Sequence, residues 1–295
     1  MNALSANVTD ADQPMCRLYA FSATEPTKVE CTLVHAQNAL MTQSQKDLSG
    51  HDHTNGWGIV IYDDGQPQLD KQSWAAYHGE HFKRAAAKVY ATTVMAHIRR
   101  ATIGASTLEN THPFVSGKWA FAHNGTVPGF EQIRPKLIAL TSPRRAAEIQ
   151  GQTDSEHVFA YLLTLLDANI FDDLESLLAH AASTIAVLAA TARPGAKLGL
   201  NLMLTDGTRI YGTCLGRTLH YVERKGLYDC EICGFPHIHH DPKADYWGMV
   251  VASEPITHET WTQIPDGSVW AVSPDQQSYQ ITPIHELALQ VSRGS

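Results

Sequence analysis

A short apolar run, Arg17-Leu18-Tyr19-Ala20-Phe21, opens the patterned part of the chain, with a cysteine, Cys16, at its head. Through the first 125 residues apolar positions come in short, often β-branched runs broken by turn residues, which predicts strands. Gly58-Ile59-Val60-Ile61-Tyr62 leads into Asp63-Asp64-Gly65, and Asp-Gly after such a run predicts a hairpin. Residues 89–98 (VYATTVMAHI) and Trp119-Ala120-Phe121-Ala122 read as further strands. Each ends in a polar cluster: His97-Ile98-Arg99-Arg100-Ala101-Thr102 and His123-Asn124-Gly125.

The period then changes. Phe130, Ile133, Leu137, Ile138 and Leu140 fall at helical spacing. Thr153-Asp154-Ser155-Glu156 has the capping-box pattern and opens a second helix, whose broad apolar face is Val158, Phe159, Leu162, Leu163, Leu165 and Leu166. A third helix is expected from Asp172 to about Ala192. Strands return at residues 200–204 and 208–212, a hairpin around Thr205-Asp206-Gly207, then at 218–224, 247–252 and 269–272. Strands, helices, strands, with no βαβ rhythm, no repeat and no linker, predict one layered α+β domain.

Composition narrows the function classes. The chain has 295 residues, 43% hydrophobic and 18% charged, with net charge -8 and no basic run longer than a pair. Nucleic acid and anionic membranes are therefore not expected partners, and a small polar substrate remains. The most apolar stretch, residues 179–192, is interrupted by His180, Ser183, Thr184 and Thr191 and falls short of a membrane span. Residues 1–14 lack the basic start and apolar core of a secretion signal, so a cytoplasmic location is expected. Five cysteines, an odd and scattered count, give no disulfide framework.

Cys16 follows Met15 directly. A cut between them would leave one residue holding a thiol and a free α-amine, whose reference pKa of about 7.7–8.0 suits a base near neutrality. The alternative is a small buried side chain in an N-terminal strand.

Four segments in this order, Met15-Cys16-Arg17, His97-Ile98-Arg99, His123-Asn124-Gly125 and Thr153-Asp154-Ser155-Glu156, resemble the class II glutamine amidotransferases, which are N-terminal-nucleophile hydrolases. Gly56-Trp57-Gly58, Asn110-Thr111-His112-Pro113-Phe114 and Ser253-Glu254-Pro255 add to the likeness, which is nearest to the stand-alone branch that includes the γ-glutamyl hydrolase of ergothioneine biosynthesis. The resemblance implies an αββα four-layer sandwich with two facing antiparallel sheets. It implies a domain over residues 16–275, a removed leader or mis-assigned start over 1–15, and a C-terminal tail over 276–295.

The resemblance also assigns roles. Cys16 would attack the γ-carbonyl of glutamine or a γ-glutamyl amide. The Asn124 side chain and the Gly125 N–H would hold the oxyanion, Arg99 the α-carboxylate and Asp154 the α-ammonium, with Thr102 as a further substrate contact. Each has a plainer local reading: Asn-Gly is a hairpin turn, and an acidic residue in a first helical turn suits the helix dipole anyway. His97, His112 and His123 are expected as hydrogen-bonded structural groups. One departure stands out, because the arginine that larger members carry near Ser49-Gly50 is missing.

This chemistry needs no cofactor or metal. With 20 residues after position 275, transfer of ammonia would need a separate synthase subunit. The alternative is a non-catalytic metal-binding or regulatory subunit that keeps the fold. The loop Cys230-Glu231-Ile232-Cys233, followed by His237, His239 and His240, reads either as a set of zinc ligands or as a polar loop with reduced thiols.

Overall fold

The computed structural model describes residues 16–226, 229–238 and 245–291. The expected leader over 1–15, and His239 and His240, lie outside the described residues.

Alternation in the first strand, β1 (Arg17–Lys28), sets the architecture. Leu18 and Ala20 face one way and Tyr19 and Phe21 the other, and all four are buried. A strand buried on both faces must lie between two layers. Leu18 and Ala20 join Val60, Met95, Ala122, Met203, Trp247 and Trp270 in a core between two sheets. Tyr19 and Phe21 join Leu33, Leu40 and Phe82 in a second core under helices α1 (Leu40–Gln45) and α2 (His81–Ala87).

The remaining strands are β2 (Trp57–Asp63), β3 (Gln66–Gln72), β4 (Tyr90–Ile98), β5 (Phe114–Ser116), β6 (Trp119–Asn124), β7 (Asn201–Thr205), β8 (Ile210–Cys214), β9 (His220–Lys225), β10 (Trp247–Ala252), β11 (Thr262–Gln263), β12 (Ser268–Ser273) and β13 (Ser278–Pro283). One seven-stranded sheet runs β11-β9-β10-β1-β4-β2-β3, and a six-stranded sheet runs β13-β12-β8-β7-β6-β5. Every pairing is antiparallel. A third core covers the outer face of the six-stranded sheet with helices α3 (Phe130–Leu140), α5 (Asp154–Ala168) and α6 (Leu174–Ala192). The short helix α4 (Pro143–Ala146) precedes α5. The order helices, sheet, sheet, helices is the four-layer α+β sandwich expected from the sequence.

Three local differences have physical causes. Thr153 caps α5 through its hydroxyl, which accepts from the Glu156 N–H at 3.3 Å, but Glu156 does not complete a capping box. Its carboxylate instead accepts from the N–H groups of Gln150 and Gly151 at 2.7 and 2.6 Å, fastening the preceding loop. Residues beyond 275 add strand β13 to the six-stranded sheet and helix α7 (Ile284–Val291), so the expected tail contains an edge strand and a helix. Finally, α6 is long and apolar enough to cross a membrane by length and composition. Its apolar face is spent on the third core, where Leu178, Ala182 and Ile185 are fully buried.

Candidate functional site

The predicted residues come together where β1 begins and β4 and β6 end, beside the N-terminus of α5. Antiparallel pairing of Arg17 with Ile98 puts Cys16 opposite the residues that follow β4. The Arg100 N–H donates to Cys16 Sγ at 3.3 Å, and the thiol reaches the Arg100 carbonyl at 3.4 Å. Burial pushes the thiol above its ordinary pKa, while that N–H and the charges of Arg99 and Arg17 favour the thiolate.

Asn124 ends β6. Its side-chain N–H donates to Ser253 Oγ at 3.3 Å, and the same oxygen accepts from the Leu18 N–H at 2.9 Å, so one hydroxyl ties the amide to β1. An amide has two N–H donors, and Ser253 engages one. Asn124 Oδ1 is buried without a partner among the described residues. Gly125 follows at φ 152°, and a Cβ there would collide with the backbone of Gly199. Only glycine fits this corner.

Asp154, 3% exposed, accepts from the Val127 N–H at 2.8 Å and the Ser155 N–H at 2.9 Å. It thereby pins the 125–127 turn to α5. Thr102 and Thr126 hydroxyls meet at 3.2 Å, closing the ring from the β4 end to that turn. Arg99, 2% exposed, feels the charges of both Cys16 and Asp154, and burial lowers its pKa from the usual guanidinium value. Its fork is already engaged: Nη1 donates to the carbonyls of Ala105 and Asn55 at 2.9 and 3.4 Å, and Nη2 to those of Ile103 and Gly104 at 2.7 and 3.2 Å. The sequence predicts a clamp on a strand end and gives no sign of this brace on the 103–105 loop.

Two of the three histidines match their expected part. His123 bridges Ser155 Oγ at 2.9 Å and the Gly199 carbonyl at 3.0 Å. The carbonyl requires a proton on Nε2, so the neutral ring accepts the Ser155 proton at Nδ1. His97 bonds the His123 carbonyl at 3.2 Å, and burial depresses its pKa to about 3. His112 departs from expectation. Neither ring nitrogen has a hydrogen-bond partner among the described residues, and the ring packs on His97 and Phe114 at 4.3 and 4.5 Å.

Sequence reasoning missed the buried charge cluster behind the thiol. Arg17, 1% exposed, holds Asp47 at 2.5 Å and Glu254 at 2.6 Å, and donates to the Cys16 carbonyl at 3.1 Å. His53 Nε2 lies 2.9 Å from Asp47. Burial raises the Asp47 pKa, but the His51 N–H, Arg17 and His53 outweigh it and the net shift is downward. These partners are 30 and 237 residues from Arg17, so no local pattern reveals them.

Elsewhere, a cavity of about 370 Å³ lined by Lys71, Phe114, Arg145 and Glu156 includes none of Cys16, Arg99, Thr102, Asn124, Gly125 and Asp154. Four possible metal ligands, Cys31, Cys230, Cys233 and His237, have their ligand atoms within 4.8 Å of one another. Cys31 comes from a π-helical turn (Cys31–His35), far from the Cys-x-x-Cys in sequence.

Comparison with known proteins follows the same lines. A family model described as glutamine amidotransferases class-II matches residues 15–290. A Saccharomyces cerevisiae protein named "Probable glutamine amidotransferase DUG3" is 26% identical over 92% of this chain and 84% of its own. The gamma-glutamyl-hercynylcysteine sulfoxide hydrolase of Mycobacterium tuberculosis is 23% identical over 85% of this chain and 90% of its own. A solved glutamine aminotransferase class-II domain protein from Silicibacter pomeroyi superposes with a TM-score of 0.62 at 20% identity, over 91% of this chain and 98% of that one.

Proposed function

The chain belongs to the class II glutamine amidotransferase family and is an enzyme of amide hydrolysis, and on that premise we propose that it cleaves the γ-amide of glutamine or of a γ-glutamyl amide through a thioester on Cys16. One observation carries the reading. A thiol with N–H and cationic neighbours, a half-free amide donor, a buried carboxylate and a buried guanidinium all stand on a single hydrogen-bonded ring of loops.

In this reading Cys16 is the terminal residue of the working enzyme. Its α-amine takes the thiol proton, and the thiolate attacks the γ-carbonyl. The Arg100 N–H and nearby guanidinium charges favour the anionic sulfur. The second N–H of Asn124 and the backbone N–H of Gly125 receive the developing oxyanion. The amine returns its proton to the leaving ammonia or amine, and water then hydrolyses the thioester. Arg99 and Asp154 hold the carboxylate and ammonium of the glutamyl group. The contacts to Asn55 and Gly104, the longest on each Arg99 nitrogen, are the ones a carboxylate would replace, giving a two-point grip.

The family match begins beside Cys16, which supports a mature start there. The relative named as a gamma-glutamyl-hercynylcysteine sulfoxide hydrolase supports a γ-glutamyl substrate whose leaving amine is larger than ammonia. Donation of ammonia to a synthase subunit is the second product fate in this reading.

The test is a panel of γ-glutamyl amides, glutamine included, assayed with wild-type and Cys16→Ala protein while intact mass reports the first residue. A glutamine-like diazo ketone should label Cys16. Labelling of Cys31 or Cys214 instead, or turnover by the alanine variant, would overturn the assignment.

A further inference from the structure

Among the described residues, the loop between β9 and β10 takes no part in the ring around Cys16, yet it carries the second dense group of reactive side chains. Cys230 and Cys233 sit on one tight turn. The Gly234 N–H donates to the Cys230 carbonyl at 2.8 Å, and the Ile232 N–H donates to Cys230 Sγ at 3.4 Å. Gly234, at φ 73°, supplies the left-handed residue that lets the chain curl back. A turn that aims backbone N–H dipoles at a sulfur stabilises negative charge on it, which is what a metal-bound thiolate needs.

Two further ligands reach this turn from other directions. His237 Nε2 lies 3.3 Å from Cys233 Sγ, and Cys31 arrives from the π-helical turn just past the end of β1. A tetrahedral centre with Zn–S of about 2.3 Å and Zn–N of about 2.0–2.1 Å sets sulfur and nitrogen about 3.6 Å apart, and two sulfurs about 3.8 Å apart. Ligand atoms that all lie within 4.8 Å of one another already approximate that shape. A thiol–imidazole hydrogen bond accounts for one pair alone and leaves the two other sulfurs unexplained. All five cysteines of the chain are free thiols.

We propose that Cys31, Cys230, Cys233 and His237 bind one structural Zn²⁺ ion. Three thiolates and an imidazole complete a tetrahedron, so no position is left for substrate or water. Binding forms three Zn–S bonds and one Zn–N bond and releases three thiol protons to solvent, with no change of oxidation state. The ion fastens a loop whose described residues are lightly packed. Ile232 and Ile238 only partly bury against the outer core, and Phe235 is 71% exposed. Among the described residues, the Lys28 N–H donates to the His237 carbonyl at 2.9 Å and the His258 N–H to Glu231 at 3.0 Å. A cavity of about 240 Å³ bordered by Cys31, Cys230 and His237 provides the way in.

The experiment is metal analysis of the whole chain, purified under reducing, zinc-replete conditions without chelator. One zinc per chain is expected in wild type, in Cys16→Ala and in Cys214→Ser, and none in Cys31→Ser or Cys233→Ser. Because the serine variants can fail to fold, cobalt is added to zinc-stripped wild-type protein as an independent reading. Sulfur-to-cobalt charge transfer together with the intense visible bands of a tetrahedral ion supports the site, and His237→Cys should bind cobalt with a shifted spectrum. Wild type that takes up neither metal, a Cys31→Ser variant that holds zinc as wild type does, or a Cys230–Cys233 disulfide in the freshly purified protein would overturn it. None of these readings depends on glutamyl turnover.

Discussion

Two cysteines bracket strand β1, and their surroundings are opposites. Cys16 stands just before the first residue of the strand, away from other sulfurs and beside the Arg100 N–H and carbonyl and the charges of Arg99 and Arg17. Cys31 stands three residues past the last, in reach of two other sulfurs and an imidazole. Isolation beside positive charge, with a spare amide donor near by, suits a sulfur that must form and release a bond to carbon. Convergence of three sulfurs and an imidazole suits a sulfur that stays bound. The contrast shows that the identity of a cysteine says little and the company it keeps says most.

Substitution at Cys16 should break the comparison most sharply. Cys16→Ala should lower turnover on the order of 10⁴-fold or more while leaving metal content and melting temperature near wild type. Loss of both together would mean that the two ends of β1 are not independent. Asn124→Ala comes next, with kcat reduced about 10²–10³-fold at little change in KM; steady-state kinetics that show only a raised KM would assign Asn124 to ground-state binding. Cys233→Ser should do the reverse of Cys16→Ala. It should keep kcat for the folded fraction and lose about 2–4 °C of melting temperature for each kcal/mol of metal linkage, read by calorimetry with and without chelator.

The site end of β1 should also answer to acid. Burial holds His53 and His97 neutral, with pKa values depressed to about 4 and about 3. In the unfolded chain both protonate near 6.5, so that state binds more protons across the interval. Their contribution is intact above about pH 6.5 and is lost as pH falls toward 4 and then 3. Melting temperatures measured across that range should drop with falling pH, and His53→Asn should flatten the upper part of the slope. An unchanged slope would remove His53 from the account. The smallest effect is expected from Thr102→Val, a rise in KM of about fivefold or less from one lost hydroxyl contact.

How much of this the sequence discloses depends on whether partners are close in the chain. The apolar run at residues 17–21 and the helical spacing from Val158 to Leu165 arise within single elements, so strands and helix were legible locally, while the two facing sheets followed from the family resemblance. The polar strand β3, whose residues are half-buried or exposed, shows no apolar period and was visible only through the Asp-Gly turn before it. At the site, Cys16, Arg99, Asn124 and Asp154 each stand in a short recognisable string. The Arg17–Asp47–Glu254 cluster and the Ser253 bridge to Asn124 join residues that only the fold brings together. Cys31 escaped for the same reason. The Cys-x-x-Cys turn was plain, but the third sulfur within reach of it comes from a distant part of the chain, and His239 lies outside the described residues.

The crowding of Gly125 against Gly199 has a practical side. Anyone diversifying this protein to accept unfamiliar amines should treat that pair as frozen, since the smallest added side chain at position 125 runs into main-chain atoms. Variation is better drawn from the stretch between Ile103 and Leu108, where exposed or half-exposed side chains ride on a loop braced from beneath by one guanidinium. The corner is fixed by main-chain crowding, and the neighbouring loop has the room to vary.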